Sequence, residues 1–333
     1  MNLPLPLRLF LWPLSLVYSA AARLTAWLYA HGIYTVKHLN APVVSVGNLT
    51  VGGTGKTPMV LWLAERFLAD GKRVAILSRG YRGAGGSSDE VKLMKVHLGD
   101  RVAFGVGPDR HAEGRRIESE RPIDMFLLDD GFQHLQLARA VDIVLVDSTR
   151  TLREEFLLPA GRLREPVSAV SRASVVLFTR VNQATFLVQA IQKFPKLPIF
   201  PASTKLVGFR QVVEGKRAEA ADNLPNPVFA FCGIGNPEAF FDDLARWGVN
   251  STGKLAFRDH HAYSAGDARK IEDLAQHANA KSLITTEKDF QNLGNARFSL
   301  PLYYCEIALD IPDAVQFWNT ITQLLPGKTG ALS

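Results

Sequence analysis

The chain has 333 residues, of which 47% are hydrophobic and 21% are charged, a balance typical of a globular protein with one large domain or two. Its two cysteines, Cys232 and Cys305, lie far apart, which excludes a disulfide framework or a cysteine metal site and predicts a reducing cytosol. The net charge of +6 and the pI near 9.3 favour an anionic partner, whether nucleotide, nucleic acid or acidic membrane surface.

The first thirty residues form an apolar segment. Between Leu3 and Ala30, leucines and aromatic residues are interrupted by Arg8 and Arg23. No convincing cleavage pattern follows, so a removed signal peptide is not expected. Charged residues and alanines weaken the case for a spanning helix, whereas Trp, Tyr and Arg suit a membrane interface. We predict an amphipathic helix on the membrane surface; a core helix and a spanning helix are the alternatives.

Residues 47–57 have the pattern of a phosphate-binding P-loop. They read Gly-Asn-Leu-Thr-Val-Gly-Gly-Thr-Gly-Lys-Thr, follow an apolar run at 42–46 and precede a helical pattern. Glycines let backbone N–H groups close around phosphate oxygens, and the helix N-terminus adds partial positive charge. Lys56 can reach the outer phosphates, and the Thr57 hydroxyl can ligate Mg²⁺. The predicted nucleotide-binding residues are Thr50, Val51, Gly52, Gly53, Thr54, Gly55, Lys56 and Thr57.

Position 50 departs from the G-x-x-x-x-G-K-[ST] pattern, which has a glycine where this chain has Thr50. The alternative interpretation is a glycine-rich turn between strand and helix that binds no ligand. The agreement of strand, Gly-Lys-Thr and helix favours the P-loop.

Apolar runs at 73–77, 102–104, 125–128, 143–146 and 175–178 predict further buried strands that alternate with helices. Such runs indicate a parallel sheet covered on both faces. Ligands of these sheets bind beyond the carboxyl ends of the strands. Arg79, Asp129 and Asp147 follow strands and are therefore expected beside the P-loop.

Prolines at 195, 198 and 201 mark a change of pattern before a second series of strands and helices. The sequence predicts three parts: a membrane-associated apolar helix in 1–35, a P-loop nucleotide-binding domain in 36–204, and a smaller α/β domain in 205–333. The predicted fold class is thus α/β, a P-loop NTPase-type mostly parallel sheet with helices on both faces, with this smaller domain and the N-terminal helix added.

Carboxylates and histidines supply candidates for metal binding and proton transfer. Asp129-Asp130 after an apolar strand fits a carboxylate that holds Mg²⁺, with a solvated turn as the alternative. Asp89 could accept the proton of an acceptor, or cap a loop. His260, within Asp259-His260-His261, could assist it or lie in an ordinary polar loop; zinc would need more ligands.

Arginines in the loops could bind phosphate through bidentate contacts or be merely solvated. The candidates are Arg79, Arg82 and Arg110.

Together these segments resemble the tetraacyldisaccharide 4′-kinase family, the lipid A 4′-kinases. The match runs in family order over nearly the whole chain. The matching segments are 45–58, 78–81, 129–134, 158–161 with 163–166, 233–237, Phe257 with Asp259-His260, and 285–289.

The resemblance implies ATP-dependent phosphorylation of the 4′-hydroxyl of a tetraacylated glucosamine disaccharide 1-phosphate, with Mg²⁺. It implies a late step of lipid A synthesis at the cytosolic face of the bacterial inner membrane, where the first helix would lie near the acceptor's acyl chains. It also implies that the smaller domain closes over ATP. We expect a monomer with no nucleic-acid partner.

The resemblance also implies roles for single residues. Lys56 and Thr57 would serve phosphate and Mg²⁺, and Asp89 with His260 would be the base and its supporting partner. The metal-site carboxylates would be Asp129, Asp130 and Glu165, and the other active-site residues Arg79, Gln133, His134 and Arg164. The family's usual Gly-Asp-Glu-Pro reads Ser-Asp-Glu-Val at 88–91 here. The doubled histidine is assigned as His260, which directly follows Asp259.

Two rival functions belong to other classes. A membrane-associated ATPase switch would use a related loop with an additional lysine, but Val51 occupies that position. A kinase of a soluble small molecule does not account for the apolar N-terminus.

Overall fold

The structure is a computed structural model that describes residues 4–80, 89–149, 156–181, 196–213, 217–221 and 223–326. The chain forms two compact units. The first comprises Met1–Tyr81, Leu98–Thr204 and Leu309–Ser333, and the second comprises Arg82–His97 and Lys205–Ala308. These units are not continuous in sequence, whereas each of the three predicted parts, 1–35, 36–204 and 205–333, is a single stretch.

The first unit is built on a seven-stranded parallel sheet. Its strands are β1 (Val43–Asn48), β2 (Val74–Ser78), β3 (Val102–Val106), β4 (Met125–Asp129), β5 (Val141–Asp147), β6 (Val175–Thr179) and β7 (Ile199–Pro201). Its helices are α1 (Leu5–Ala30), α2 (Lys56–Ala69), α4 (Arg110–Glu120) and, at the end of the chain, α8 (Ala314–Leu324). Five of these strands are buried along their whole length, which explains why they read as continuous apolar runs.

The strand order in this sheet is β3-β2-β4-β1-β5-β6-β7. The chain leaves β1 through α2 towards one edge, and after β4 it crosses to β5 on the other side of β1. Beyond the carboxyl ends of strands at such a reversal, open α/β sheets have a crevice where ligands bind. The P-loop follows β1, and Asp129-Asp130 follows β4, so both lie at this crevice.

The second unit contains a six-stranded sheet of order β11-β10-β12-β13-β8-β9. Its strands are β8 (Ser203–Val213), β9 (Arg217–Ala221), β10 (Val228–Cys232), β11 (Ser251–Ala256), β12 (Ser282–Thr286) and β13 (Leu302–Asp310). Its helices are α3 (Asp89–Leu98), α5 (Pro237–Arg246), α6 (Ala265–His277) and the short α7 (Glu287–Phe290). The strands from β11 to β13 pair in parallel, whereas β8 and β9 form an antiparallel pair at the edge.

The N-terminal helix α1 has an unusual distribution of side chains. Its buried or half-buried positions are Arg8, Leu11, Ser15, Ser19, Ala22, Ala26, Leu28 and Tyr29, spaced mostly as one helical face. Ser15 donates from Oγ to the carbonyl of Leu157 at 2.9 Å and accepts from the N–H of Ala160 at 3.1 Å. Large apolar side chains lie on the outer faces instead, with Phe10 77% exposed and Val17 68% exposed. Among the described side chains of the helix, the two buried ones are thus serines, whereas most of the large apolar ones are exposed.

The last helix, α8, packs in the first unit through aromatic residues. Trp318 meets Phe67 of α2 edge-on at 4.7 Å between ring centroids, and Phe317 meets Phe200 in the same way at 5.1 Å. Local sequence shows that α8 is amphipathic but not which sheet will cover its apolar face. By its position in the chain, α8 belongs to the predicted smaller domain, 205–333.

The predicted fold class is confirmed. The structure contains the parallel sheet with its helices, the second and smaller α/β sheet, and the apolar N-terminal helix. Of the described helices, one, Pro6–Ala30, is long and apolar enough to cross a membrane by length and composition.

Gly47, at the end of β1, lies against the backbone of Phe132. A Cβ placed on Gly47 would lie 2.5 Å from Phe132 Cβ and 2.7 Å from its backbone nitrogen, and the N–H of Gly131 is bonded to Val46 at 3.1 Å. Because backbone cannot swing aside, we expect Gly47→Ala to lower the free energy of unfolding by about 1–3 kcal/mol. Chemical denaturation measures this, with Gly208→Ala, which meets nothing within 4 Å, as the control. Equal stability of the two variants would contradict this packing.

Candidate active site

Thr50 shows how the loop tolerates a residue other than glycine. Thr50 forms an antiparallel bridge with Leu163, so its backbone is extended, a conformation that suits a β-branched side chain. The positive φ angles in the loop fall on glycines, at 113° for Gly52 and 89° for Gly55. The departure from the pattern at position 50 therefore has a structural reason.

The N-terminus of α2 follows directly and has no side-chain cap. Its N-cap residue is Gly55, which has no side chain to accept a hydrogen bond from the N–H groups of the first turn. The first N–H groups of a helix have no intrahelical partners and carry the positive end of its dipole. Such an end binds phosphate through backbone N–H groups. Thr54 is fixed just before it, because its hydroxyl accepts from Asn48 Nδ2 at 2.8 Å and its carbonyl accepts from Thr179 Oγ1 at 3.1 Å.

Residues 156–166 form hydrogen bonds with the backbone of the P-loop. The N–H of Val51 donates to the carbonyl of Arg162 at 2.8 Å, and the Arg162 guanidinium donates back to the Val51 carbonyl at 2.7 and 3.1 Å. The N–H of Arg164 donates to the Leu49 carbonyl at 2.7 Å. Since the same segment carries Arg164 and Glu165, it fixes these side chains relative to the phosphate loop.

Asp130 is held between two cations. Lys56 Nζ lies 3.6 Å from its Oδ1, and Arg164 Nη1 donates to both carboxylate oxygens at 2.8 Å. Burial raises the pKa of Asp130, but the charges of Lys56 and Arg164 outweigh it and hold the pKa below its ordinary value. Asp130 is therefore ionised and directs the Lys56 ammonium at the front of the P-loop.

The other predicted metal-site residues differ in their surroundings. Asp129 is buried and accepts from Ser78 Oγ at 3.3 Å, whereas Glu165 pairs with Arg172 at 2.8 Å and accepts from Gln133 Nε2 at 3.1 Å. Within the described ranges, no three His, Cys, Asp or Glu side chains gather closely enough to hold a metal ion. Mg²⁺ in phosphoryl-transfer sites takes one or two carboxylates, with waters and substrate phosphates as its other ligands. The hard oxygens of Thr57 and Asp129 fit that donor set.

Three more of the predicted site residues in the first unit follow strands of its sheet: Arg79 follows β2, and Gln133 and His134 follow β4. Gln133 Nε2 also donates to the Asn48 carbonyl at 3.0 Å. His134 Nδ1 lies 3.1 Å from Arg110 Nη1, and burial, with the charges of Arg110, Arg139 and Arg79, lowers the pKa of His134 to about 4. His134 is thus neutral at physiological pH, and its Nδ1 accepts from Arg110. Arg79 directly follows β2 and is exposed; Arg82 lies outside the described residues.

The second unit contains the predicted base and its partner. His260 Nδ1 lies 3.0 Å from Asp89 Oδ2, at the first residue of α3. Burial raises the pKa of Asp89, but hydrogen bonds from His260 and Asn292 and the charge of Lys288 lower it overall, so this carboxylate is ionised and only accepts. The Nδ1 of His260 therefore carries the proton of this hydrogen bond.

The structure distinguishes the two adjacent histidines. His261 stacks on Phe257 at 4.5 Å between ring centroids and meets Tyr263 edge-on at 4.8 Å. It faces Asp267, not Asp89. His260, by contrast, has φ of 60°, a left-handed conformation that costs a non-glycine residue about 1–3 kcal/mol. Asp130 also has a positive φ, of 51°, so each unit contains one predicted site residue in the left-handed conformation.

The structure thus brings seven of the predicted residues into two groups, which do not include Thr57, Arg79, Asp129 or His134. Lys56, Asp130, Gln133, Arg164 and Glu165 are joined by direct contacts in the first unit. Asp89 and His260 are in contact in the second unit. Sequence reasoning missed Asn48, Thr179 and Asn292. Asn48 lies inside the P-loop segment, 47–57, so its position could have identified it as a site residue. The local sequence around Thr179 and Asn292 does not indicate a role for either.

Comparisons with known proteins identify relatives of this chain. The family profile described as LpxK, tetraacyldisaccharide-1-P 4′-kinase, matches residues 7–326. A tetraacyldisaccharide 4′-kinase of Geobacter metallireducens is 38% identical over 88% of this chain and 91% of its own. That of Geobacter sulfurreducens is 40% identical over 82% of this chain and 80% of its own. A crystal structure of LpxK from Aquifex aeolicus in complex with ATP is 28% identical, with a TM-score of 0.74 over 96% of this chain and 100% of that one.

Proposed function

Because the chain belongs to the tetraacyldisaccharide-1-P 4′-kinase family, we propose that it transfers the γ-phosphoryl group of ATP to the 4′-hydroxyl of a tetraacyldisaccharide 1-phosphate, giving the 1,4′-bisphosphate in lipid A synthesis. The observation that carries this proposal is the uncapped N-terminus of α2, with Lys56 held in front of it by Asp130. The family match favours this kinase over a nucleotide switch or a kinase of soluble acceptors.

The first unit supplies binding and charge neutralisation. Backbone N–H groups at the start of α2 bind phosphate oxygens, and Lys56 offsets the negative charge that develops on the transferred group. Mg²⁺, when bound, would neutralise charge on the β- and γ-phosphates. Thr57 and Asp129 would hold it, with Asp130 and Glu165 completing the site through water while their arginines keep them oriented. Gln133 fixes Glu165 against the backbone of the P-loop.

The second unit supplies the base. Asp89 accepts the proton of the 4′-hydroxyl as the oxygen bonds to phosphorus, and His260 keeps Asp89 ionised and oriented through its Nδ1–H. Positioned proton transfer of this kind is worth about 10²–10⁴-fold in rate. The mechanism requires this pair to reach the γ-phosphate, and the predicted closure of the smaller domain over ATP would supply that approach.

The polar residues around His134 fit an anionic acceptor. His134 is neutral and receives a hydrogen bond from Arg110, and Arg79 lies exposed at the end of the adjacent strand β2. Arginines bind phosphate oxygens with bidentate geometry. We assign these side chains to the polar headgroup region of the acceptor.

Helix α1 supports association with a membrane. A surface helix of a soluble domain turns its apolar side chains inward, whereas α1 buries Ser15 and Ser19 and exposes most of its leucines and aromatic residues. An apolar face of this kind inserts into the boundary between headgroups and acyl chains. We place the protein as a monomer at the cytoplasmic face of the bacterial inner membrane, where a lipid acceptor is within reach.

We expect the exposed face of α1 to carry membrane binding. Replacing Phe10, Leu14 and Val17 together with serine removes three large apolar side chains, each of which contributes about 1.5–3 kcal/mol when fully transferred from water. Cosedimentation with phospholipid vesicles should weaken at least about tenfold. The control is Val207→Ser, an equally exposed valine of β8. Undiminished binding of the triple variant would contradict the anchoring role.

The activity is tested with labelled γ-phosphate of ATP and a tetraacyldisaccharide 1-phosphate in detergent micelles, with and without Mg²⁺. Labelled bisphosphate that requires both the lipid and Mg²⁺ supports the proposal. ATP turnover without lipid product would favour a nucleotide switch, and transfer to a soluble acceptor without detergent would favour the other kinase class.

A further inference from the structure

The carboxylate of Asp89 receives a second hydrogen bond that the mechanism above does not use. Asn292 Nδ2 donates to Asp89 Oδ2 at 2.8 Å, the same oxygen that His260 Nδ1 contacts at 3.0 Å. In the described part of the chain, no hydrogen bond reaches Oδ1. One oxygen is thus held from two sides while the other remains available.

Asn292 is itself held firmly in place. It follows α7, and its N–H donates to the Asp289 carbonyl at 2.8 Å while its carbonyl accepts from the N–H of Tyr263 at 3.2 Å. Asp289 is fully buried and accepts from the Gly233 N–H at 2.8 Å and from the Tyr263 hydroxyl at 2.9 Å. The amide of Asn292 is therefore presented by backbone that several buried hydrogen bonds fix.

We propose that Asn292 is a positioning residue for the acceptor's general base: by holding Asp89 Oδ2, it turns Oδ1 towards the 4′-hydroxyl. This assignment rests on the proposed kinase function. It adds a neutral donor to the pair of Asp89 and His260. A carboxylate held through one oxygen by two donors loses its rotation about χ2, which keeps the basic oxygen within reach of the proton it accepts.

The charged groups around this pair come from several elements. His260 and Asp259 belong to the loop after β11, Glu90 to α3, and Lys288 to α7. Lys288 Nζ lies 3.2 Å from Glu90, 3.6 Å from Asp259 and 3.5 Å from His260 Nε2. Asn292 carries no charge, so removing its side chain leaves these charges in place and takes away only a hydrogen bond to the ionised carboxylate.

The loss of that hydrogen bond has a predictable sign. A hydrogen bond donated to the charged form lowers the pKa of a carboxyl group, and the bond from Asn292 contributes to the lowered pKa of Asp89. Without it the pKa rises, and a larger fraction of Asp89 is protonated at acidic pH. The acidic limb of the rate profile should therefore move to higher pH.

Three variants separate positioning from mere structural support. Asn292→Ala should lower kcat about 10–30-fold, since the base loses its fixed orientation but remains present. Asn292→Asp should lower kcat further and move the acidic limb further up, because it places a like charge beside Asp89. Asn292→Gln keeps an amide donor and should recover part of the loss. The KM for ATP should stay within about twofold in all three, because Asn292 does not belong to the P-loop.

The matched control is Gln291→Ala, which removes a neighbouring amide for which the described residues show no side-chain hydrogen bond. Asn292→Ala with the kcat and pH profile of this control would overturn the proposal, as would a loss that appears only in the KM for ATP. If Asn292→Ala is poorly folded, the other two variants decide: the acidic limb of Asn292→Asp should lie at higher pH than that of Asn292→Gln, and coinciding limbs would overturn the proposal.

A carboxyl ¹³C NMR titration of Asp89 in the wild-type protein and in Asn292→Ala distinguishes failure of this inference from failure of the kinase function. A raised pKa of Asp89 in the variant supports the contact independently of turnover. An active wild type with an unshifted Asp89 overturns the role of Asn292 alone. An inactive wild type overturns the proposed function, and with it the positioning role.

Discussion

Replacing Lys56 with alanine is expected to lower kcat about 10³-fold, because we propose that this ammonium neutralises the charge that develops on the transferred phosphoryl group. Its side chain is only 17% exposed, and Nζ lies 3.6 Å from Asp130 Oδ1, so its position is set before the nucleotide arrives. Preorganised charges of this kind lose little free energy to reorganisation during the reaction. Steady-state transfer of labelled phosphate to the lipid acceptor measures the effect.

The loss should not come from unfolding. Asp130 keeps two hydrogen bonds from Arg164 when Lys56 is removed, so its carboxylate is not left buried without a partner. We expect the Lys56→Ala protein to melt within about 2 °C of the wild type. Lys72→Ala, just beyond α2, is the matched control and should keep full turnover. Near-normal transfer by Lys56→Ala would mean that the P-loop does not bind the reacting phosphates.

The parts of the structure that could be predicted from sequence are those set by local pattern. The strand before Gly47, the glycines with positive φ and the helix that begins at Lys56 follow one another within a short stretch, so turn chemistry and periodicity identify them. The buried parallel strands read as apolar runs for the same reason. The helix at Asp89–Leu98 is not among the predicted elements; it begins directly after the stretch 80–88, whose glycines and serines favour a loop.

Contacts between distant segments could not be predicted. The clamp of Arg162 on Val51, the bond from Asn292 to Asp89 and the packing of α8 on α2 each join residues far apart in the chain. Nothing in the local sequence distinguishes Asn292 from an ordinary polar residue after a short helix. The left-handed backbone of Asp130 and His260 was not predicted either, although Asp and His adopt this conformation more readily than most non-glycine residues.

The proposed roles also have a consequence for kinetics. The residues proposed to bind phosphate lie in the first unit, whereas Asp89, His260 and Asn292 lie in the second. Substitutions in the first group should affect nucleotide affinity and turnover together. Substitutions in the second should affect turnover with little change in nucleotide affinity, and this difference is what separates a base from a phosphate ligand.

Asp89→Asn tests most directly whether a residue of the second unit affects turnover without affecting nucleotide affinity. The asparagine is nearly the same size, but it cannot accept a proton, so kcat should fall about 10²–10⁴-fold while the affinity for ATP stays within about twofold. His260→Ala should have a smaller effect, because it leaves the carboxylate in place but removes a hydrogen bond that keeps it ionised. Nucleotide binding is followed with a fluorescent ATP analogue, and turnover with the lipid assay.

The pH profile adds a second readout. Because the pKa of Asp89 is lowered, this carboxylate stays ionised down to pH values below its ordinary pKa of 3.8. Activity is lost only as the pH falls through the lowered pKa. Asp89→Asn should abolish this acidic limb, and His260→Ala should move it to higher pH. Asp242→Asn, an exposed carboxylate of α5, controls for loss of charge in the same unit. If Asp89→Asn keeps the turnover of that control, then another group accepts the proton, and the site in the second unit serves orientation alone.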